Sequence, residues 1–293
     1  MIESLKKELT LFDLVSDCDQ WRDRMAVIYD DEQVTVAVTY NQVMIIAGKA
    51  IQNHQITTEN EYFVCSVIKI ETLEQLLFQY NTEIIRSAIL QDLNMVLVKP
   101  NRPQHTRTER TSLALCLTTS GTTGTQKIVK VPHSCIVPNI LYQRGTFRIS
   151  EKDVVFLSSP VTFDPSIVDI FVTLSSGSCL LMTSDAMKEC MLSFAVPNQL
   201  LWLLTKCHVS VMQCTPTLLS RFSITDLQTS LLSECSSLRV LGLGGEQFPP
   251  LSHLQHWRAH GNMTKFYNLY GINEVSCWSS MYEVTAPDFR KFE

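Results

Sequence analysis

Between residues 128 and 269, short apolar runs alternate with stretches of helical spacing, and few folds accommodate that rhythm. The strand-like runs are Ile128–Val131, Val154–Leu157, Cys179–Met182, Val209–Gln213, Leu238–Leu243 and Lys265–Leu269. Helical stretches over about 134–144, 166–175, 198–206, 216–222 and 249–260 separate them. This is the pattern of an α/β domain with a largely parallel sheet. Ligands in such sheets bind beyond the C-terminal strand ends. At 293 residues, 45% of them apolar and 18% charged, the chain can bury a sizeable core. A net charge of −5, with no basic aromatic-laced stripe, gives no case for nucleic acid. No apolar run approaches the roughly 20 residues of a membrane span. Ten cysteines are scattered without a Cys-x-x-Cys pair, and Met1–Glu8 has no signal-peptide core, which together read as reduced thiols in a cytoplasmic protein. Asn262-Met-Thr264 has the form of a glycosylation acceptor and is expected to stay bare.

Upstream, residues 3–16 have helical spacing, Ala26–Tyr29 and Val34–Val38 read as strands, and a helix is expected over about 40–52. Tyr62–Ile68 reads as a strand, Thr72–Gln91 as a helix, and Asn101–Arg110 as a surface loop or linker. The division expected is 1–53, a divergent connecting region over 54–110, and 111–293 as the ligand-binding part.

The stretch Thr118–Lys127, TTSGTTGTQK, follows an apolar run, Leu113–Leu117, suited to a buried strand. Its glycines allow close backbone approach, successive N–H groups can form an anion-holding nest, and Lys127 adds a positive charge. That is the chemistry of a polyphosphate cradle, although a solvated Ser/Thr/Gly loop has the same composition. It is not a Walker A loop, because Ile128 follows Lys127 and the glycine spacing differs.

The order of residues resembles the phosphate loop of the adenylate-forming superfamily: acyl-CoA synthetases, luciferases and peptide-synthetase adenylation domains. Thr119–Thr125 and Lys127 match its Thr-Ser-Gly-Thr-Thr-Gly-x-Pro-Lys-Gly, with Gln126 in place of proline and Ile128 in place of glycine. Val131-Pro-His133, Ile136–Ile140, Thr162–Ser166, Leu243–Glu246 and Asn268–Glu274 extend the resemblance across 111–283, toward the acyl-CoA synthetases related to aminoadipate-activating enzymes. It implies the partial large N-terminal domain of an adenylate-forming enzyme, α/β, with layered, mostly parallel sheets. Implied too is an ATP- and Mg²⁺-dependent ligase that adenylates a carboxylate, such as the amino acid β-alanine, and transfers it to the phosphopantetheine thiol of a carrier domain.

The roles follow residue by residue. Thr119, Ser120, Gly121, Thr122, Thr123, Gly124 and Lys127 would hold ATP phosphates, with Thr119 and Lys127 also catalytic. Gly244, Gly245 and Glu246, read alone as a turn, would lie along adenine and the substrate pocket. In Asn268–Glu274, Tyr270 would stack on adenine beside Asn268 and Gly271, and Glu274 would hold Mg²⁺ and be catalytic. Asn273 stands where the family has a phosphate-touching threonine. Asp164 is either a helix cap, with Pro165 at the first helical position, or, as the resemblance implies, the carboxylate that binds a substrate ammonium. His133 would be a positioning residue. His253, His256 and His260 have zinc-like spacing, but without an acidic or cysteine companion they read as a polar helix face.

The chain ends at Glu293, before the family's ribose-binding aspartate, hinge and lid with its catalytic lysine. The expectation is therefore a truncated adenylating enzyme, the alternative a catalytically inactive short form that binds nucleotide or a protein partner. An unrelated α/β domain with a Ser/Thr-rich loop is the third reading.

Overall fold

A computed structural model describes residues 9, 11–15, 18–30, 35–43, 63–66, 82–90, 93–100, 113–119, 127–161, 163–183, 197–275 and 277–290. In chain order the strands are β1 Met25–Asp30, β2 Thr35–Thr39, β3 Phe63–Ser66, β4 Thr82–Leu90, β5 Leu93–Pro100, β6 Leu113–Thr119 and β7 Lys127–Pro132. They continue with β8 Val154–Phe156, β9 Cys179–Thr183, β10 Val211–Cys214, β11 Val240–Leu243, β12 Lys265–Tyr270 and β13 Ser280–Val284. Eight of them form one sheet in the order β13-β12-β11-β10-β8-β9-β1-β2. The pairs from β12 through β1 are parallel, and antiparallel β13 and β2 close the two edges. The expected α/β architecture is present.

Burial on both faces explains the continuous apolar runs of the central strands. Successive side chains point to opposite faces, so Val155, Leu180, Val211 and Val240 enter one core while Phe156, Leu181, Met212 and Leu241 enter the other. The helices His133–Thr146 and Asp164–Leu174 cover the first face through Ile136, Val137, Ile140, Val168 and Val172. The second face is covered by Pro197–Lys206 and Leu251–Trp257, through Leu200, Leu203, Leu204 and Leu254.

Four expectations are corrected. Residues 82–90, expected within a helix over 72–91, form β4, paired antiparallel with β5 in a separate sheet ordered β3-β5-β4. Ile84, Ile85, Ala88 and Ile89 fit a helix face by spacing, but the isoleucines are β-branched and the following run offers a pairing partner, which decides in favour of the strand. Ile128–Val131 belongs to β7, which pairs antiparallel with β6 as a hairpin and not with the parallel sheet. A parallel partner needs a crossover of a dozen or more residues, and the 120–126 connection is too short for one. The helix expected over 249–260 ends at Trp257, with Arg258 already extended. That expected over 216–222 spans Pro216–Leu219. Of the expected N-terminal helices, Leu11–Val15 and residues 40–43 are helical, Leu9 is not, and the rest lies outside the described residues, as does the loop expected over 101–110.

Two buried polar groups brace the end of the sheet opposite the candidate site. Asp153, only 5% exposed, accepts two hydrogen bonds from Arg239, each 2.8 Å, together with bonds from Ser210 Oγ and the Ser150 N–H. Burial alone would raise its carboxyl; the bonds from Arg239, Ser210 and Ser150 outweigh that and hold it below the usual aspartate value. A depressed folded-state pKa stabilises the protein above the unfolded value, and this stability is lost as pH falls through the folded one. Asp153→Ala removes the acceptor of the Arg239, Ser210 and Ser150 bonds, while Arg239 keeps those to the Phe147 and Arg148 carbonyls. The substitution is expected to cost about 2 kcal/mol. It should also flatten the dependence of the urea midpoint on pH below about 4. Asn262 is 7% exposed and donates to the Ser233 carbonyl while accepting from the Thr264 N–H, so its amide is occupied within the fold.

Candidate functional site

The C-terminal ends of β8, β10, β11 and β12 face the same edge, where Asp164, Gly244–Glu246 and Tyr270–Glu274 are placed. The hairpin β6–β7 brings Thr119 opposite Lys127 as its last pair, at the base of the 120–126 connection. Ser120, Gly121, Thr122, Thr123 and Gly124 lie outside the described residues. At the other end of β7, His133 opens the next helix, is buried, and accepts the Leu11 N–H on Nδ1 at 3.1 Å, which ties the N-terminal helix Leu11–Val15 to this one.

β12 runs into residues 271–279, which fold tightly before returning as β13. Gly271 makes that possible. A Cβ there would lie 1.7 Å from the Cys277 carbonyl oxygen and 2.8 Å from the Trp278 Cα, so the two limbs of the loop touch backbone to backbone. The Ser279 N–H, at 2.9 Å, and its hydroxyl, at 3.0 Å, both donate to the Tyr270 carbonyl, and Cys277 takes a left-handed φ of 66°. The fold presents Tyr270, 67% exposed, at the strand end, with its ring free to stack. Asn273 and Glu274 sit on a short 3₁₀ turn, Asn273–Val275, with the Glu274 carboxylate exposed. Asn268 is half-buried within β12.

Gly244 and Gly245 follow β11. A Cβ on Gly244 would meet the Trp278 ring at 2.5 Å, so the indole of the neighbouring loop packs flush on this backbone. Glu246 is exposed, but its carboxylate is engaged: Oε2 accepts the Thr217 N–H at 3.1 Å and the Thr217 hydroxyl at 2.6 Å. It ties the loop after β11 to the helix after β10.

Asp164 is the first residue of the helix Asp164–Leu174, and Phe163 occupies the cap position without a side-chain cap. The Asp164 side chain is 3% exposed and accepts the Cys277 N–H, while its Oδ2 makes no hydrogen bond. Burial pushes its pKa up, its own N–H and that of Cys277 oppose the shift, and the nearby Glu274 adds to it. A buried carboxylate with an idle oxygen is costly, and either protonation or a cationic partner relieves that cost.

Sequence reasoning missed four neighbours. Asp169, fully buried, accepts from Gln213 Nε2 at 2.5 Å, while Gln213 Oε1 makes no hydrogen bond. Cys277, 3% exposed, has its thiol pKa driven well above the usual value by burial and then by Asp164 and Asp169, which places both carboxylates around it. Trp278 carries a buried Nε1 that also makes no hydrogen bond. The available signal was a lone acid inside the apolar helix DPSIVDIFVTL and a glutamine inside the strand VMQC.

An exposed carboxylate such as Glu274 suits Mg²⁺, which takes one or two carboxylates and completes its shell with water and phosphate. His253 and His256 lie on the Leu251–Trp257 helix, where His253 packs against Trp257, and His260 lies beyond its end. Among the described residues no helix is long and apolar enough to cross a membrane.

A sequence model of the family described as AMP-binding enzyme matches residues 16–292. The chain is 53% identical over 173 residues to the beta-alanine-activating enzyme of Danio rerio, and 51% identical to that of Homo sapiens. Those matches cover 59% of this chain and 14% and 15% of the relatives, so it spans only a small part of their length. Among solved structures, CmiS6 superposes with a TM-score of 0.68 at 18% identity, covering 95% of this chain and 75% of that one. The Vibrio cholerae adenylation domain AlmE, in complex with glycyl-adenosine-5'-phosphate, gives 0.60 at 18% identity, covering 93% and 61%. The fold of adenylation domains is thus shared, and the chain belongs to the AMP-binding enzyme family, the adenylate-forming ligases that its Thr118–Lys127 loop resembles.

Proposed function

We propose that the site adenylates the carboxylate of a small amino acid such as β-alanine, using ATP, and passes it as a thioester to a carrier thiol. The observation that carries this reading is Asp164: a buried carboxylate with an idle oxygen, beside the loop that bears Tyr270 and Glu274. A substrate ammonium would pair with it, leaving the substrate's own carboxylate to face the nucleotide. That chemistry agrees with the names of the relatives, which activate β-alanine, and with the glycyl-adenylate bound to AlmE.

In the first step a substrate carboxylate oxygen attacks the α-phosphorus; the new O–P bond forms as the bond to pyrophosphate breaks. The N–H groups and hydroxyls of Thr119–Gly124, with Lys127, would hold the phosphates and stabilise the charge that develops on them. Tyr270 would stack on adenine, with Asn268, Gly271 and the Gly244–Glu246 backbone along its edge, and Asn273 would donate a hydrogen bond toward the α-phosphate. Glu274 would hold Mg²⁺, which neutralises the triphosphate. In the second step a thiolate attacks the acyl carbon, forming the C–S bond and releasing AMP.

The test is pyrophosphate exchange with β-alanine, glycine, propionate and a fatty acid. Exchange with the amino acids and not with the plain acids is expected; the reverse order would reject the reading. Calorimetry adds a nucleotide check. Lys127→Ala and Glu274→Ala should each weaken Mg·ATP binding about ten-fold or more, Glu274→Ala in a Mg²⁺-dependent way. Equal binding by wild type and both variants would remove these residues from the site.

A further inference from the structure

The helix His133–Thr146 starts where β7 ends, so it is carried directly by the hairpin that brackets the phosphate loop. β7 also runs beside the Asn273–Val275 turn. On this helix, Asn139 Nδ2 donates to the Trp278 carbonyl oxygen at 2.5 Å, and Gln143 Nε2, one turn further on, donates to Asn139 Oδ1 at 3.2 Å. The second bond fixes the first, because it holds the amide oxygen of Asn139 toward Gln143 and its NH₂ toward the carbonyl. Gln143 is 1% exposed and its Oε1 makes no hydrogen bond. An apolar residue would occupy this position at lower cost, so packing alone does not account for the amide pair.

The Trp278 carbonyl is a telling place to anchor. Trp278 follows Cys277, whose N–H holds Asp164, and its ring lies on Gly244. The same loop carries Asn273 and Glu274. We propose that Asn139 is a positioning residue: through the Trp278 carbonyl it fixes the 271–279 loop relative to the phosphate hairpin, so that nucleotide and amino acid bind cooperatively. The proposal rests on the adenylation reading above. In-line attack requires reacting atoms about 3–3.5 Å apart, and in that reading the two reactants are held by different pieces of chain. The Asn139 bond joins those pieces.

Calorimetry on the chain, with the α,β-methylene analogue of ATP plus Mg²⁺ and with β-alanine, tests this by titrating each ligand alone and in the presence of the other. In the wild type each ligand should tighten the other by about ten-fold, the same factor in both directions. Asn139→Asp sets an acceptor against the carbonyl; each single-ligand affinity should stay within about two-fold and the coupling factor should fall to near one. Gln143→Met leaves Asn139 in place but frees its amide, and should give an intermediate factor with an unchanged melting temperature. It carries the test if Asn139→Asp does not fold. Wild-type coupling in the variants would overturn the proposal, and so would its absence in a wild type that binds both ligands. Weaker single-ligand binding with coupling intact would also overturn it, by showing Asn139 to be structural only. A wild type that binds neither ligand would instead overturn the adenylation reading, and the proposal with it.

Discussion

Asp164→Asn should weaken activation of an amino acid by about 2 kcal/mol or more, roughly 30-fold in kcat/KM. It should leave the thermal stability of the ligand-free protein equal or higher. The two parts have one cause. Burial raises the Asp164 pKa, so its charge is disfavoured in the folded state. For a carboxyl whose folded pKa is raised, stability falls as pH climbs from the unfolded value through the folded one. Asparagine can accept the Cys277 N–H without carrying that charge, so the penalty disappears at neutral pH. The ammonium then has nothing to pair with. Activity of the wild type should fall as pH drops through the raised Asp164 value, and the variant should lose that limb of the profile. A variant that melts earlier with unchanged kinetics would make Asp164 a helix-start residue and nothing more.

Gly271→Ala should be the most damaging single methyl in the site. Its Cβ would fall 1.7 Å from the Cys277 carbonyl oxygen and 2.6 Å from its carbonyl carbon, and both obstacles are backbone. Neither can swing aside as a side chain would, so the loop must open. Overpacking of this kind costs about 1–3 kcal/mol, and the displacement would carry off the geometry of Tyr270, Glu274 and the Cys277 N–H together. Nucleotide binding by calorimetry should drop below detection, with a melting temperature lowered by several degrees. Retention of wild-type binding would show that residues 271–279 do not shape the nucleotide site.

The architecture was legible because the central strands are buried on both faces. That turns Val154–Leu157, Leu238–Leu243 and their neighbours into unbroken apolar runs with helical spacing between them. The strand ends were legible for a different reason: Gly244 and Gly271 stand where a Cβ collides with Trp278 or Cys277, so glycine appears in the motif by necessity. Pairing was not legible. The short 120–126 connection points β7 back onto β6 only once both runs are taken as strands, and Ile84 and Ile85 fit a helix face until β5 is seen to pair beside them. The Asp169–Gln213 contact spans two elements, and so does the bond from Asn139 to Trp278. A polar residue in an apolar run announces that it has a partner, but the sequence does not name it.

The most direct test of the proposed ammonium pocket compares two sulfamoyl adenosine analogues on the purified chain by calorimetry, one carrying a β-alanyl group and the other a propionyl group. They differ by the amino group alone. The account predicts that the β-alanyl compound binds about 30-fold tighter and that Asp164→Asn erases the difference. Equal affinities in the wild type, or a preference that survives in Asp164→Asn, would contradict it.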